Sequence, residues 1–272
     1  MKTFVYHRPS ALDDAVKLNA TPGADIRLLA GGQSLLPAMK LRLSQPTDVI
    51  DLAGLADLNG IRVDGYTLKI GAMTTHATVG ASADVQHVFP ALAELAGNIG
   101  DRQVRNRGTI GGSLANDDPA ACYPAAVLGS GATVHTDRRS IAADDFFRGL
   151  FETALEPGEI ITSVDFPVQQ RAAYVRMRQK ASHFALVAVF VGAGADGNVR
   201  VAVTGAGQNG VFRVREFEDA LSKRFEVGAL DGLGVDADAL MSDIHASADY
   251  RAHLIHVLAR RAIEAARARA AT

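Results

Sequence analysis

The stretch LLAGGQSLLPAMKLRL, residues 28–43, sets two adjacent glycines between an apolar run of strand character and an apolar, basic run of helical character. Such a junction has two readings. It is an ordinary tight turn, or it is a backbone surface kept bare so that a phosphate can approach. One further pair, Gly111-Gly112, occurs in GTIGGSLAN (108–116), again after an apolar stretch and again followed by a residue able to hydrogen bond. Successive amides in conformations open to glycine form a concave anion nest. Two nests on separate units would hold the two ends of a diphosphate against aligned amides rather than lysines. The residues alone leave both readings open.

Outward from the first pair, residues 1–56 read as helix, strand, helix, strand: SALDDAVKLNA, IRLLAGG, SLLPAMKLRL and TDVIDL, with TPG and SQP as punctuation. Ser10 and Asp13 have the spacing of a capping box. From about Ile61 the texture changes. IRVDGYTLKIG reads as two strands around Asp64-Gly65, a type I′ turn signal. Helical FPALAELAGNIG follows, then a polar glycine-rich loop over 101–120, a helix CYPAAVLGSG, a strand ATVHT and the segment GEIITSVDFP. A boundary is expected at PVQQRAA, 167–173. Beyond it, YVRMRQ, FALVAVFVGA and VRVAVTGAG read as three strands, and a helix from about Ala248 to Ala270 closes the chain. That helix carries Asp249 in its first turn and Arg267 and Arg269 in its last, as the helix dipole prefers. Its stripe of Leu254, Ile255, Leu258, Ala262 and Ile263 is expected in the core.

Several function classes fall away. With 28 basic and 30 acidic residues, a formal net charge of -2, the chain has no electrostatic footprint for nucleic acid or an anionic membrane. With 48% hydrophobic residues it can bury a sizeable core, yet no apolar run approaches the roughly 20 residues that span a bilayer. One cysteine, Cys122, excludes an internal disulfide and any cysteine-ligated cluster built by this chain alone. A cytoplasmic location is expected, since the N-terminus shows no signal-peptide pattern. His253 and His256 are three apart with no third ligand, and no G-x-S-x-G elbow offers a serine nucleophile. Of two G-x-G-x-x-G matches, GAGADG (192–197) lies between two β-rich runs, and GAGQNG (205–210) precedes VFRVREFEDAL, which can be read as helical, but no later strand ending in an acidic residue completes the unit of a nicotinamide site. ADGN is expected to be a hairpin turn.

LLAGGQSLLPAMKLRL, DRQVRNRGTIGGSLANDDPAACYPAAVLGSGATV and GEIITSVDFP together resemble the FAD-binding medium subunit of the molybdenum hydroxylases, the family of aerobic carbon monoxide dehydrogenase and of bacterial xanthine and aldehyde dehydrogenases. The likeness runs essentially end to end. It implies an α+β fold: a p-cresol methylhydroxylase-type FAD domain at 1–172, with subdomains of about 1–56 and 57–172, and a smaller C-terminal domain at 173–272 made of a three-stranded sheet and helix. It implies non-covalent FAD, with the molybdenum cofactor and [2Fe-2S] clusters on a large and a small partner subunit, assembled as a dimer of heterotrimers. Electrons would pass from the clusters through this chain to an external acceptor.

Residue by residue, Ala30, Gly31, Gly32, Gln33, Ser34 and Leu35 match the family's first pyrophosphate loop. Thr109, Ile110, Gly111, Gly112 and Ser113 match its second. The resemblance sets Asn116 beside the ribityl or phosphate region, Ile160 or Ile161 near the ring, Arg176 or Lys180 near the flavin's polar edge, and Phe184 over the isoalloxazine. Cys122 stands where many relatives carry an aspartate that reaches the ribityl chain, and His183 replaces a common acidic residue. A left-handed, glycine-only backbone is expected at Gly112. Two other readings stay open: a stand-alone flavin-dependent reductase of the same superfamily, and a flavin-free scaffold subunit.

Overall fold

A computed structural model describes residues 1–270. The N-terminal unit runs β1 (Val5–His7), α1 (Leu12–Asn19), β2 (Ile26–Leu29), α2 (Leu35–Lys40) and β3 (Asp48–Asp51). Its strands form a parallel sheet in the order β1-β3-β2, with Ile50 opposite both His7 and Leu28. Strand β1 was not expected. It is three residues long, too short for a period to register. The capping box at Ser10 does not form, because the cap position is Ala11 and Ser10 stands one residue too early. Asp13 and Asp14 in the first turn still complement the dipole.

The second unit contains β4 (Ile61–Asp64), β5 (Thr67–Gly71), α3 (His76–Ala81), α4 (Ala83–Val88), α5 (Pro90–Gly97), α6 (Arg102–Arg107), α7 (Ile110–Asn116) and α8 (Tyr123–Ser130). It continues through β6 (Thr133–Thr136), β7 (Ser140–Ala142), α9 (Ala143–Phe146), β8 (Phe147–Gly149), β9 (Glu152–Thr153) and β10 (Ile161–Pro167). An antiparallel sheet of order β4-β5-β10-β6-β7 supports the helices. Asp64 pairs with Thr67, so the hairpin turn is Gly65-Tyr66. Positive φ falls on Gly65 alone, whereas type I′ needs it at both central positions.

The expected loop over 101–120 is instead mostly two short helices. Asp101 caps α6 by accepting the Val104 amide at 2.8 Å, and Thr109 caps α7 by accepting the Gly112 amide at 3.2 Å. Polar composition hid α6, which buries no residue, and the glycine pair hid α7, although its Ile110 and Leu114 enter the core on either side of that pair.

The third unit comprises β11 (Arg171–Arg178), β12 (Ala185–Ala193), β13 (Val199–Gly207), β14 (Gly210–Arg213), α10 (Arg215–Lys223) and α11 (Ala248–Ala270). Its antiparallel sheet has four strands in chain order, so the expected three are joined by the short GVFR. Both glycine decoys are hairpins. Gly194 donates to the Asn198 carbonyl across the first, and Gly207 pairs with Gly210 across the second.

Both faces of this sheet are buried, which explains the unbroken apolar run of β12. Ala188 and Phe190 point to the second unit, while Val187, Val189 and Val191 join the core beneath α11 with Leu254, Ile255, Leu258 and Ile263. Every residue of α8 is buried, as a helix apolar all round must be. It approaches the sheet so closely that a Cβ on Gly129 would stand 2.5 Å from the Phe190 ring.

Among the described residues no helix is long and apolar enough to cross a membrane, and no cluster of metal-ligating side chains forms. His253 is exposed, and His256 lies edge-on to Phe217 at 6.0 Å. Phe190 is fully buried and meets Phe89 edge-on, locking the third unit to the second. Phe190→Ala is therefore expected to cost about 3–5 kcal/mol in a denaturant titration.

Candidate functional site

The two glycine segments meet. Gly31 lies against the backbone of Arg107 and Gly108, so closely that any Cβ would overlap the Arg107 carbonyl oxygen. Gly111 lies against Ala72, whose carbonyl accepts the Gly111 amide at 2.8 Å. A Cβ on Gly112 would stand 3.2 Å from that of Ala30. An isolated bridge between Thr75 and Thr109 fastens α7 to the start of α3.

Beside this junction runs a cleft of about 910 Å³. Ala30, Gly31, Gly32, Gln33, Ser34, Leu35, Thr109, Gly111, Gly112, Ser113, Asn116, Cys122, Ile160, Ile161, Arg176 and Phe184 all line it. Ile110 and Lys180 do not. Ile110 is fully buried in the core of the second unit, and Lys180 is exposed in the turn after β11.

The segments differ in what they offer. Gly32 has φ 73°, and the amides of Gly32, Gln33, Ser34 and Leu35 have no hydrogen-bond partner among the described residues. They sit at the start of α2, where backbone donors are left over by the helix geometry. The second segment is not a matching nest. The amides of Ile110, Gly111 and Gly112 are taken by Thr74, Ala72 and the Thr109 hydroxyl. Gly112 is helical, contrary to the left-handed geometry expected from the sequence. The second segment offers side chains instead: Ser113 and Asn116, three apart on α7, reach the cleft with no partner among the described residues.

At the other end, β11 brings in Arg176. Its guanidinium donates to the Asn98 carbonyl and lies 3.5 Å from the Cys122 sulfur, while Arg178 donates to the Asn98 side chain at 2.7 Å. No carboxylate pairs with Arg176 among the described residues. Burial pushes the Cys122 thiol up, against the pull of Arg176, so the sulfur stays protonated.

Some cleft residues escaped the sequence reading. His76 is buried, and its Nε2 occupies space that a Cβ on Gly108 would invade at 2.5 Å. Burial and then Arg105 pull it down to about 4, leaving a neutral imidazole. Glu159 is sealed beneath Ile160 by Arg139, Thr136 and the Glu156 amide, which hold it at about 2. Neither carries a local sequence signal, because Arg105 and Gly108 stand about 30 residues from His76, and Arg139 and Thr136 stand 20 and 23 residues from Glu159.

The family model described as the FAD binding domain in molybdopterin dehydrogenase matches residues 2–169. The chain belongs to this family. It is 36% identical to the carbon monoxide dehydrogenase medium chain of Hydrogenophaga pseudoflava, over 98% of each chain. It is 38% identical to the nicotine 6-hydroxylase medium subunit of Paenarthrobacter nicotinovorans, over 97% of each. The structure of the Hydrogenophaga pseudoflava carbon monoxide dehydrogenase lacking the Mo-pyranopterin moiety matches with a TM-score of 0.88 at 36% identity, covering 98% of both chains.

The cleft of this FAD-binding family member suits its cofactor. Four unpartnered amides and the free polar groups of Ser113 and Asn116 fit a diphosphate, and Leu28, Met73, Ile160 and Ile161 offer apolar walls for a ring.

Gly32→Ala must hold a side chain at positive φ against Leu36 and Leu29. It is expected to lose about 1–2 kcal/mol of stability and roughly tenfold in FAD affinity, read by denaturation and by FAD titration. Asp117, buried beside Asp118 at the end of α7, is raised to about 7 by burial first and by Asp118 second. The folded state therefore holds a proton that the unfolded chain releases near pH 4, so stability falls as pH rises from about 4 to 7. Asp117→Asn is expected to stabilise the chain by on the order of 2 kcal/mol at pH 8 and hardly at pH 4, measured by melting across that range.

Proposed function

We propose that this chain is the FAD-carrying electron-transfer subunit of a molybdenum hydroxylase complex. Electrons would arrive from iron–sulfur clusters on a small partner subunit, after oxidation of substrate at a molybdenum centre on a large one, and leave to an external acceptor. The carrying observation is the row of unpartnered amides at Gly32–Leu35 inside the cleft of a chain belonging to this family. FAD, when bound, supplies reversible one- and two-electron chemistry. The protein's own groups bind and orient it. Amides of the first segment and side chains of α7 hold the diphosphate, while Arg176 sets an uncompensated positive charge at the far end of the cleft.

Three further features support this division of labour. A single cysteine leaves the clusters to a partner. Relatives named for carbon monoxide and for nicotine match this chain about equally well, so its features do not select substrate. Against a stand-alone reductase, two cations of the third unit, Arg200 and Arg213, are neutralised by Asp144 and Glu218 and so are not free for a substrate carboxylate. We further take the FAD domain to be residues 1–172 and the C-terminal domain 173–272, the complex to be a dimer of heterotrimers, and its location to be the cytoplasm.

Acid treatment of the purified chain is expected to release one FAD and no FMN, with iron and molybdenum present only when the complex is isolated intact. A chain that stays flavin-free after incubation with FAD would favour the scaffold reading and remove this one.

A further inference from the structure

We propose that Phe151 is a cofactor-contacting residue that stacks on a planar ring of the bound dinucleotide, presented to it by a backbone held in the left-handed region. This inference rests on the FAD reading of the cleft. Strands β8 and β9 pair through Gly149 and Glu152, so Leu150 and Phe151 form the two-residue tip between them. Phe151 has φ 56° and Leu150 does not have positive φ. Positive φ at the second central position is the demand of a type II turn, which glycine meets without strain. A phenylalanine stands there instead.

Its side chain receives little in return from this chain. The residue is 61% exposed, although it is large and apolar. The conformation is fixed from the cleft side. The Phe151 amide donates to the Asp117 carbonyl at 3.1 Å, and Asp117 is itself left-handed, φ 42°, as the cap that ends α7. The helix that offers Ser113 and Asn116 to the cleft thus also anchors the tip that carries the ring. Phe151 lines the same cleft as those two residues.

The rim repeats the pattern once. His183 has φ 61°, and the next residue, Phe184, is 53% exposed and also lines the cleft. Backbone strain of this kind persists where surrounding structure enforces it, and it collects at ligand clamps. The occupant that rewards an uncovered aromatic is another flat π-system, and a flavin dinucleotide has two, adenine and isoalloxazine.

The test compares the full-length chain with Phe151→Gly and Phe151→Leu, stripped of flavin and titrated with FAD, ADP and FMN, alongside melting of the flavin-free forms. Phe151→Gly is expected to bind FAD about tenfold more weakly while melting at the same temperature or higher, because glycine relieves the turn. Phe151→Leu should fall between, and the weakening should follow whichever of ADP or FMN carries the stacked ring. FAD binding within twofold of wild type in Phe151→Gly overturns the inference and leaves the functional reading standing. A marked drop in melting temperature of the flavin-free Phe151→Gly chain also overturns it, by making the ring structural. A wild-type chain that takes up no FAD overturns both.

Discussion

The cleft depends on one close approach of backbone to backbone. Gly31 touches Arg107 and Gly108 where no Cβ has room, and Gly111 touches Ala72 in the same way. The Gly31 contact draws the N-terminal parallel unit onto the helices of the second unit, and the Gly111 contact fixes α7 within that second unit. Without them the start of α2 would not face α7, and the free amides of one would not share a cavity with the free side chains of the other. Glycine here serves protein–protein proximity at Gly31 and Gly111, and left-handed geometry at Gly32 alone.

A second constraint sets the far wall. Helix α8 is buried on every side between the second unit's sheet and β12–β14, and Gly129 lets it sit directly on Phe190. That packing fixes Cys122, at the start of α8, next to β11. Arg176 is then held between the Asn98 carbonyl and the Cys122 sulfur, and the β11–β12 turn carries His183 and Phe184 to the rim. The sheet of the third unit is therefore one wall of the cleft as well as the lid over α8.

The electrostatics follow from the same burial. His76 is neutral because its ring is sealed, Cys122 keeps its proton for the same reason, and Asp117 is carried toward neutral pH. Glu159 keeps its charge despite burial, since Arg139 and two further donors surround it. Arg176 is a cation of the cleft wall with no carboxylate against it among the described residues, while the wall's Asp101 and Asp118 accept the backbone amides of Val104 and Ala120. Arg27, also on the wall, is partly answered by Asp25 at 3.3 Å.

Local pattern was enough for elements whose period or turn chemistry is self-contained. The β12 run, the apolar stripe of α11 and the hairpin around Gly194–Asn198 were legible because their side chains alternate or repeat regardless of what they pack against. The two glycine segments were visible as a pair, and most residues assigned to them by resemblance do line one cleft. Failures fell where a long-range partner decides the outcome. Strand β1 exists because β3 offers an edge to pair with, α6 and α7 are helical through capping and bridging contacts, and β14 forms on the margin of β13. The division of roles between the glycine segments was equally hidden. Sequence fixes that glycine stands at 31, 32, 111 and 112. Only the tertiary structure decides which amides remain free, because a donor's availability depends on the carbonyl that folding brings, or fails to bring, within about 3 Å of it.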